Sequence, residues 1–260
     1  MATFLFDQTI FGPVISRRLG VSLGINLLPN DSKLCSFDCI YCECGWNPEK
    51  GKGRVSLPGR AQIQALLRQK LTEMERTKQL PDVITFAGNG EPTLHPEFES
   101  IIDDTILLRN ELSPKSKIAV LSNATMLHKP TVVAALRKVD DNILKLDSGL
   151  LETILLLNQP AGKFSLAKLI NHLKKFEGGL IIQTMFLRGS FNGIKFDNTA
   201  ENEIVSWINL LKEIKPRMVT IYSIARDTPA DHLIGIPLKQ LQKIARRVES
   251  ETAIPVQVSG

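Results

Sequence analysis

Apolar and polar positions along this chain show two periodicities that alternate, one typical of β-strands and one typical of amphipathic helices. In residues 21–28 every second residue is apolar, which predicts a strand that is buried on one side. In residues 61–78 the apolar residues recur at the spacing of one buried helical face. Residues 11–20 contain glycine, proline and a pair of arginines, and they predict a loop before the first strand.

The rest of the chain alternates strand-like with helix-like segments. The predicted strands are residues 83–87, 117–121, 142–146, 180–187 and 218–224, and the predicted helices are residues 97–109, 130–139, 165–176, 201–214 and 238–250. Repeated strand–helix units predict a parallel sheet with the helices outside it. About six such units, fewer than the eight of a closed TIM barrel, predict an α/β fold with a partial (β/α)6 TIM-like barrel. We expect a single domain over residues 1–260.

Composition narrows the class of protein. Hydrophobic residues make up 43% and charged residues 23% of the 260 positions, which is ordinary for a globular chain. No apolar run is long enough to cross a bilayer, so we expect a soluble protein without a membrane partner. The formal net charge of +5 is compatible with an anionic partner without requiring one.

All four cysteines lie in one short stretch after the first predicted strand. Cys35, Cys39 and Cys42 are separated by three and then two residues, and Cys44 follows. Three thiolates on one loop can bind three irons of a [4Fe-4S] cluster and leave the fourth iron open to a ligand that is not a cysteine. A zinc site built from all four cysteines is the alternative, although zinc ligands more often come as two separated Cys-x2-Cys pairs. Thiols that bind a cluster must stay reduced, so we expect a cytoplasmic protein.

Polar residues follow the predicted strands at their carboxyl ends, where α/β folds place their chemistry. In the segment Gly88-Asn89-Gly90-Glu91 the glycines allow a close backbone approach, and the carboxylate can bind an ammonium group. The other candidates at strand ends are Ser122, Asn123, Lys145, Asp147, Gln183, Arg188 and Tyr222. Structural alternatives remain open: plain tight turns for the glycines and for Ser122-Asn123, and an ion pair for Lys145 with Asp147.

The cysteine spacing, with Tyr41 before the last cysteine, resembles the signature of radical S-adenosylmethionine (radical SAM) enzymes. In that superfamily SAM chelates the open iron, and its reductive cleavage produces a 5'-deoxyadenosyl radical. Gly88-Asn89-Gly90-Glu91 resembles the family's Gly-Gly-Glu motif, which holds the amino group of SAM, and Ser122-Asn123 stands where the family often binds the ribose or methionyl part. We also expect contacts with SAM or substrate at the remaining candidates, which are Tyr41, Lys145, Asp147, Gln183, Arg188 and Tyr222. It leaves Cys44 outside the motif.

A closer resemblance covers most of the chain. Phe11-Gly-Pro-Val, Ser16-Arg-Arg-Leu-Gly, Gly88-Asn-Gly-Glu-Pro-Thr-Leu, Ser122-Asn-Ala-Thr and Lys145-Leu-Asp resemble the branch that includes the tRNA wyosine-base synthases. Those enzymes imply a tRNA substrate, and they carry a second cluster on additional cysteines. Here no cysteine lies outside residues 35–44, so the sequence provides ligands for one cluster.

Three functions follow as hypotheses. The first is a single-cluster radical SAM enzyme that abstracts hydrogen from an unknown substrate, with RNA as a candidate, and takes its electron from a flavodoxin- or ferredoxin-like donor. The second is an activating enzyme for a glycyl-radical partner protein, and the third is a non-catalytic metal-binding RNA module. For an RNA substrate, the basic loop from Lys50 to Arg60 together with Arg17 and Arg18 predicts phosphate contacts.

Overall fold

The computed structural model describes residues 4–16, 19–49 and 56–259. The predictions for Arg17, Arg18 and residues 50–55 lie outside these described residues. The chain divides into two compact units, one made mainly of Leu5–Cys35 and Asn47–Asn142 and the other mainly of Ser36–Trp46 and Ile143–Gly260. They are called the amino-terminal unit and the carboxyl-terminal unit below. That the chain forms a single domain stays a prediction.

The described part of the amino-terminal unit combines four strands with three α-helices and a short 3-10 helix at Pro92–Leu94. Its strands are β1 (Ile10–Ser16), β2 (Gly20–Ile25), β3 (Val83–Phe86) and β4 (Lys117–Ser122), and its helices are α1 (Arg60–Arg76), α2 (Phe98–Leu112) and α3 (Pro130–Lys138). Strands β2, β3 and β4 are parallel neighbours, whereas β1 pairs with β2 in the antiparallel sense. Helix α2 packs against both α1 and α3.

Strand β1 corrects the prediction of a loop at residues 11–20. Its pairing with β2 is interrupted by an irregularity between Phe11 and Val14. Gly12 and Pro13 lie within this interruption, where a bulge accommodates residues that would break a regular ladder. The glycine and the proline therefore obscured a strand in the sequence pattern, and the pairing with β2 stabilises it.

From Ser22 onward, strand β2 is buried on both sides, so the prediction of one-sided burial is wrong there. Leu23 and Ile25 on one side are fully buried, and Ser22 on the other side is only 5% exposed. The hydroxyls of Ser22 and Thr85 are hydrogen-bonded at 2.8 Å, which offsets the penalty of burying them. A strand inside a parallel sheet is covered on both faces. A polar side chain there has no contact with water, so it requires a hydrogen-bond partner within the protein.

Arg60 is the first residue of α1 and forms a salt bridge within the protein. Its guanidinium donates two hydrogen bonds to the carboxylate of Asp104 in α2, at 2.6 and 2.8 Å. Such a bidentate pair joins the two helices with a defined geometry. Arg60, at the end of the predicted basic loop, is therefore held by a carboxylate.

The described part of the carboxyl-terminal unit holds a parallel set of strands, a small antiparallel sheet and four helices. The parallel strands are β5 (Asp141–Lys145), β6 (Ile181–Met185), β9 (Met218–Tyr222) and β11 (Val256–Ser259), in this spatial order. The antiparallel sheet has the order β10 (Leu233–Gly235), β7 (Leu187–Phe191) and β8 (Ile194–Asp197). The helices are α4 (Leu151–Asn158), α5 (Leu166–Lys174), α6 (Glu201–Ile214) and α7 (Leu238–Thr252).

The six predicted strands and six predicted helices all occur, with small shifts at their ends, and the α/β prediction is confirmed. The strands and α-helices that were not predicted are β1, α4, β7, β8, β10 and β11. The predicted strand 180–187 ends at Met185, because the Asn198 side chain donates to the Met185 carbonyl and accepts from Leu187 N–H, both at 2.8 Å. The described residues contain no helix long and apolar enough to cross a membrane.

Candidate functional site

The residues leading into the cysteine loop are paired with the Gly88-Asn89-Gly90-Glu91 segment in the amino-terminal unit. Leu34 N–H donates to the Asn89 carbonyl at 2.9 Å, and Glu91 N–H donates to the Leu34 carbonyl at 3.0 Å. A Cβ at Gly90, whose φ is +140°, would lie 1.9 Å from the Leu34 carbonyl oxygen. Gly90 is therefore required for the close approach of the chain's own backbone next to Cys35.

Asn89 is fully buried, and its side chain is hydrogen-bonded to backbone groups of the same unit. Its amide donates to the carbonyls of Phe6 and Pro29 and accepts from Phe6 N–H, each at 2.8 Å. Its own N–H donates to Asn26 Oδ1 at 3.1 Å. Because these bonds use both side-chain donors, the Asn89 amide acts as an internal brace of the loop.

Glu91 lies at the carboxyl end of β3 with its carboxylate 1% exposed and surrounded by hydrogen-bond donors. Oε1 accepts from Ser122 Oγ at 2.7 Å, from Thr93 N–H at 3.1 Å and from the Thr93 hydroxyl. Oε2 accepts from Asn123 N–H at 2.6 Å. Burial raises the pKa of Glu91, and the hydrogen bonds from Thr93, Asn123 and Ser122 counteract part of this rise.

Asn123, at the end of β4, connects the Glu91 carboxylate to the first cysteine. Its backbone N–H binds Glu91, as described, and its side-chain Nδ2 lies 3.5 Å from Cys35 Sγ. The Asn123 side chain is oriented by its Oδ1, which accepts from Thr125 N–H at 3.0 Å and from the Thr125 hydroxyl at 2.7 Å. The structure thus brings Cys35, Glu91 and Asn123 together within the amino-terminal unit.

In the carboxyl-terminal unit, Tyr41, Lys145 and Asp147 form one buried network. The Tyr41 hydroxyl donates to Asp147 Oδ2, and Lys145 Nζ donates to the Tyr41 hydroxyl at 2.9 Å. Lys145 Nζ also lies 3.4 Å from Asp147 Oδ2 and 5.1 Å from the centre of the Tyr41 ring. The predicted ion pair of Lys145 with Asp147 is present, and Tyr41 is part of it.

The network fixes the protonation of its members. Burial and the neighbouring Asp147 charge raise the pKa of Tyr41 well above its usual value, so its hydroxyl keeps its proton. Burial, the largest single effect, lowers the pKa of Lys145, but Asp147, Tyr222 and Cys39 together raise it by more, so the net pKa is raised. Lys145 is therefore a buried cation at neutral pH, held next to a phenol that acts as donor and acceptor at once.

Asn158, the last residue of α4, connects this network to the second cysteine. Its Nδ2 lies 2.7 Å from Asp147 Oδ2, 3.0 Å from the Tyr41 hydroxyl and 3.4 Å from Cys39 Sγ. Burial raises the pKa of the Cys39 thiol to about 11, and the Lys145 charge opposes the rise. A thiol in this environment loses its proton when a metal binds it.

The remaining candidates at strand ends occupy different places. Gln183 of β6 is opposite Lys145 of β5 and is 7% exposed, so these two candidates are neighbours in the sheet. Tyr222 ends β9. Arg188 lies in the antiparallel sheet, where its guanidinium is 3.4 Å from Asp197 and donates to the Gln240 side chain at 2.7 Å. The roles of these residues towards SAM or substrate stay predictions.

The surroundings of Cys35 and of Cys39, each within its own unit, suit thiolates that bind a metal. Cys35, Cys39, Cys42 and Cys44 are all free of disulfides. The side-chain amide nitrogens of Asn123 and Asn158 lie 3.5 Å and 3.4 Å from the sulfurs of Cys35 and Cys39, and hydrogen bonds from such donors stabilise sulfur that carries negative charge. In the part of the chain that the structure describes, no three His, Cys, Asp or Glu side chains form a group for a single metal ion. A four-iron cluster does not require that, because each thiolate binds a different iron.

Two residues of the site escaped the sequence analysis. Thr93 donates two hydrogen bonds to the Glu91 carboxylate. Its position two residues after Glu91 is a local feature of the sequence that could have predicted this contact. Asn158 closes an apolar stretch that showed no helical period, and nothing in the sequence connects it with Cys39 or Asp147. Such contacts join residues far apart in the chain and need the tertiary structure.

Comparison with known proteins gives relatives in sequence, although no protein-family profile matches the chain. A protein of Brachyspira hyodysenteriae named GTPase Obg is 27% identical over 98% of this chain, which spans 35% of that protein. A UPF0026 protein of Helicobacter pylori is 28% identical over 84% of this chain and 66% of its own length. A UPF0026 protein of Synechocystis is 28% identical over 95% of this chain and 94% of its own length. The chain thus spans about a third of the first relative and just under two thirds of the second.

Solved structures show the fold. A radical SAM methyltransferase from Sphaerobacter thermophilus matches with a TM-score of 0.67 and 14% identity, over 92% of this chain and 65% of that one. SuiB of Streptococcus suis bound to S-adenosylmethionine matches with a TM-score of 0.64 and 15% identity, over 88% and 49% of the two chains. TYW1 with a lysine-pyruvate adduct bound matches with a TM-score of 0.60 and 14% identity, over 89% and 74%.

At these identities the likeness concerns the fold. The partial TIM-like barrel that the strand–helix units predict, and that the resemblance also implies, is confirmed. The chain has the α/β fold of the radical SAM methyltransferase, shared with SuiB and TYW1, and UPF0026 proteins are among its relatives in sequence.

Proposed function

We propose that this chain is a radical SAM enzyme that binds one [4Fe-4S] cluster through Cys35, Cys39 and Cys42 and reductively cleaves SAM to a 5'-deoxyadenosyl radical. The observation that carries the proposal is the Cys-x3-Cys-x2-Cys spacing on a chain with the radical SAM fold. SuiB, which shares the fold, has been solved with SAM bound. The cluster would supply the electron that breaks a carbon–sulfur bond of SAM.

Glu91 is the proposed acceptor for the amino group of SAM. Its Oε1 accepts three hydrogen bonds, whereas among the described residues Oε2 accepts one, from Asn123 N–H. Oε2 thus has fewer donors around it than Oε1, and it is the oxygen that we propose to accept a further hydrogen bond from an ammonium group. Thr93 and Ser122 hold the carboxylate so that this position is fixed before the ligand arrives.

Lys145 is the proposed contact for an anionic group of SAM or substrate. Its ammonium has three N–H donors, and within the described residues two of them are used, by the Tyr41 hydroxyl and by Asp147. The third is available for a carboxylate or a phosphate. Burial strengthens such a contact, because the surrounding dielectric is lower than that of water.

Reconstitution under anaerobic conditions tests the cluster. Protein incubated with iron and sulfide should bind one four-iron cluster per chain, measured as iron and sulfide content and by its electron paramagnetic resonance (EPR) signal after reduction. Reduced protein with SAM should then release 5'-deoxyadenosine, quantified by mass spectrometry. A parent protein that binds zinc and no iron would refute the proposal.

Cys44 provides the matched control, because it lies in the same loop and outside the motif. We expect Cys35→Ala, Cys39→Ala and Cys42→Ala to lose the cluster and Cys44→Ala to retain it. The reason is that a fourth thiolate would close the iron that SAM needs. A cluster that survives loss of any motif cysteine but disappears in Cys44→Ala contradicts the open-iron assignment.

For the substrate, the sequence indicates a chemical class and not a single molecule. The basic residues near the cysteine loop in sequence favour an anionic substrate, and we propose RNA as the first class to test. The electron would come from a flavodoxin- or ferredoxin-like protein, which chemical reduction replaces in the assay above. Turnover with each candidate donor, in the presence of SAM, identifies the partner.

A further inference from the structure

Helix α4 holds the cysteine loop through its carboxyl-terminal end. Ile40 N–H donates to the Leu157 carbonyl at 3.0 Å, and Asp38 N–H donates to the Asn158 carbonyl at 2.9 Å. These carbonyls lie in the last turn of α4, where a helix has no partners of its own for its C=O groups. The residues on either side of Cys39 are thereby fastened to one helix end within the carboxyl-terminal unit.

The Asn158 side chain adds a contact with the sulfur itself. Its Nδ2 is 3.4 Å from Cys39 Sγ, and the same amide nitrogen contacts Asp147 and the Tyr41 hydroxyl. Asn158 is 1% exposed, so water does not compete for this amide. One buried amide therefore connects a cysteine of the motif with the charged network of Lys145 and Asp147.

We propose that Asn158 is a positioning residue that sets the reduction potential of the cluster through Cys39. This inference rests on the proposed function, because it requires that Cys39 binds the cluster. Reduction adds negative charge to a cluster and to its sulfur ligands, and an N–H that points at a ligand sulfur stabilises that charge. Loss of the N–H makes the cluster harder to reduce, and the midpoint potential becomes more negative.

The experiment compares Asn158→Leu with Asn198→Leu in the full chain. Asn198 is a buried asparagine of the same unit, and its side chain binds backbone groups of Asp147, Met185 and Leu187. Among the described residues, none of its hydrogen bonds is to a sulfur. Both variants lose buried hydrogen bonds, so both are expected to unfold at lower temperature than the parent. Iron content and the midpoint potential, from a redox titration followed by EPR, separate the two roles.

The expected result is a more negative potential in Asn158→Leu than in both the parent and Asn198→Leu. If a folded Asn158→Leu loses the cluster while Asn198→Leu stays loaded, the potential of Asn158→Ser decides by the same comparison. An unchanged potential, or equal shifts in the two variants, overturns it. If Asn158→Leu does not fold, Asn158→Ser is judged by the same criteria, and if neither folds Asn158 is a folding residue and the inference falls. A parent that takes no cluster refutes the proposed function and this inference together, whereas a loaded parent with an unaffected Asn158→Leu refutes the inference alone.

Discussion

Replacing Glu91 by glutamine is the sharpest test of the proposed amino-group site. The variant keeps the size of the side chain and removes its charge, so the proposed ammonium contact at Oε2 becomes weak. A hydrogen bond to a charged group contributes about 1.5 to 3 kcal/mol, which corresponds to roughly ten- to hundredfold weaker SAM binding. The cluster should remain, because Glu91 binds protein donors and no cysteine sulfur in the structure.

The stability of Glu91 variants follows from the same contacts. Glu91→Ala leaves the donors of Thr93, Ser122 and Asn123 without their acceptor in a buried place. A buried unpaired donor costs about 1 to 3 kcal/mol, so we expect Glu91→Ala to lose about 3 kcal/mol or more of unfolding free energy. Glu91→Gln keeps one carbonyl acceptor and should lose less. Glutamine is therefore the variant in which SAM binding can be measured on folded protein.

The pH dependence gives an independent check. Because burial raises the pKa of Glu91 above its ordinary value of 4.5, the folded chain binds this proton more tightly than the unfolded chain does. The contribution of Glu91 protonation to the unfolding free energy is complete below that ordinary value and is lost as the pH rises through the raised pKa. In Glu91→Gln this loss is absent, so the difference between parent and variant changes with pH in that window.

The assay is SAM binding by equilibrium dialysis on cluster-loaded protein, with urea unfolding at several pH values. Thr93→Val is the matched control, because it removes one hydroxyl donor to Glu91 and keeps the carboxylate. It should lose about 1 kcal/mol of stability and bind SAM far better than Glu91→Gln does. Equal SAM affinity in the parent and in cluster-loaded Glu91→Gln would refute the reasoning.

Three further predictions follow from other parts of the chain. Both side-chain amide atoms of Asn142 are buried and have no partner in the described residues, so Asn142→Leu should raise the unfolding free energy by about 1 to 3 kcal/mol; a lower melting temperature would contradict this. Gly90→Ala should destabilise by about 3 kcal/mol or more in urea unfolding, because its Cβ meets the Leu34 carbonyl, whereas Gly162→Ala, with open space around it, should not. If RNA is the substrate, replacing the basic residues of 50–54 by alanine should reduce the salt dependence of RNA binding, and RNA binding that is absent or independent of salt in both proteins excludes it.

The sequence by itself determined the class of the fold and the type of chemistry. Strand and helix periods are local properties, so the strands that carry Glu91, Asn123 and Lys145 could be located from the chain alone. The spacing of Cys35, Cys39 and Cys42 is also local, because three ligands on one loop stay close in any fold. Thus the α/β barrel and the resemblance to radical SAM enzymes followed from patterns within short segments.

The tertiary structure decided which groups meet. Asn158 contacts Cys39 across 119 residues, and Tyr41 contacts Asp147 across 106, and no local pattern encodes pairs at such separations. Strand β1 depends on its partner β2, which stabilises a segment whose glycine and proline predict a loop. The sequence predicts that Gly88 and Gly90 allow a ligand to approach, whereas in the structure Gly90 allows the backbone of Leu34 to approach. The same physical reason explains these side-chain contacts, strand β1 and Gly90. Burial and hydrogen bonding between distant segments outweigh local propensity once the sheet has formed.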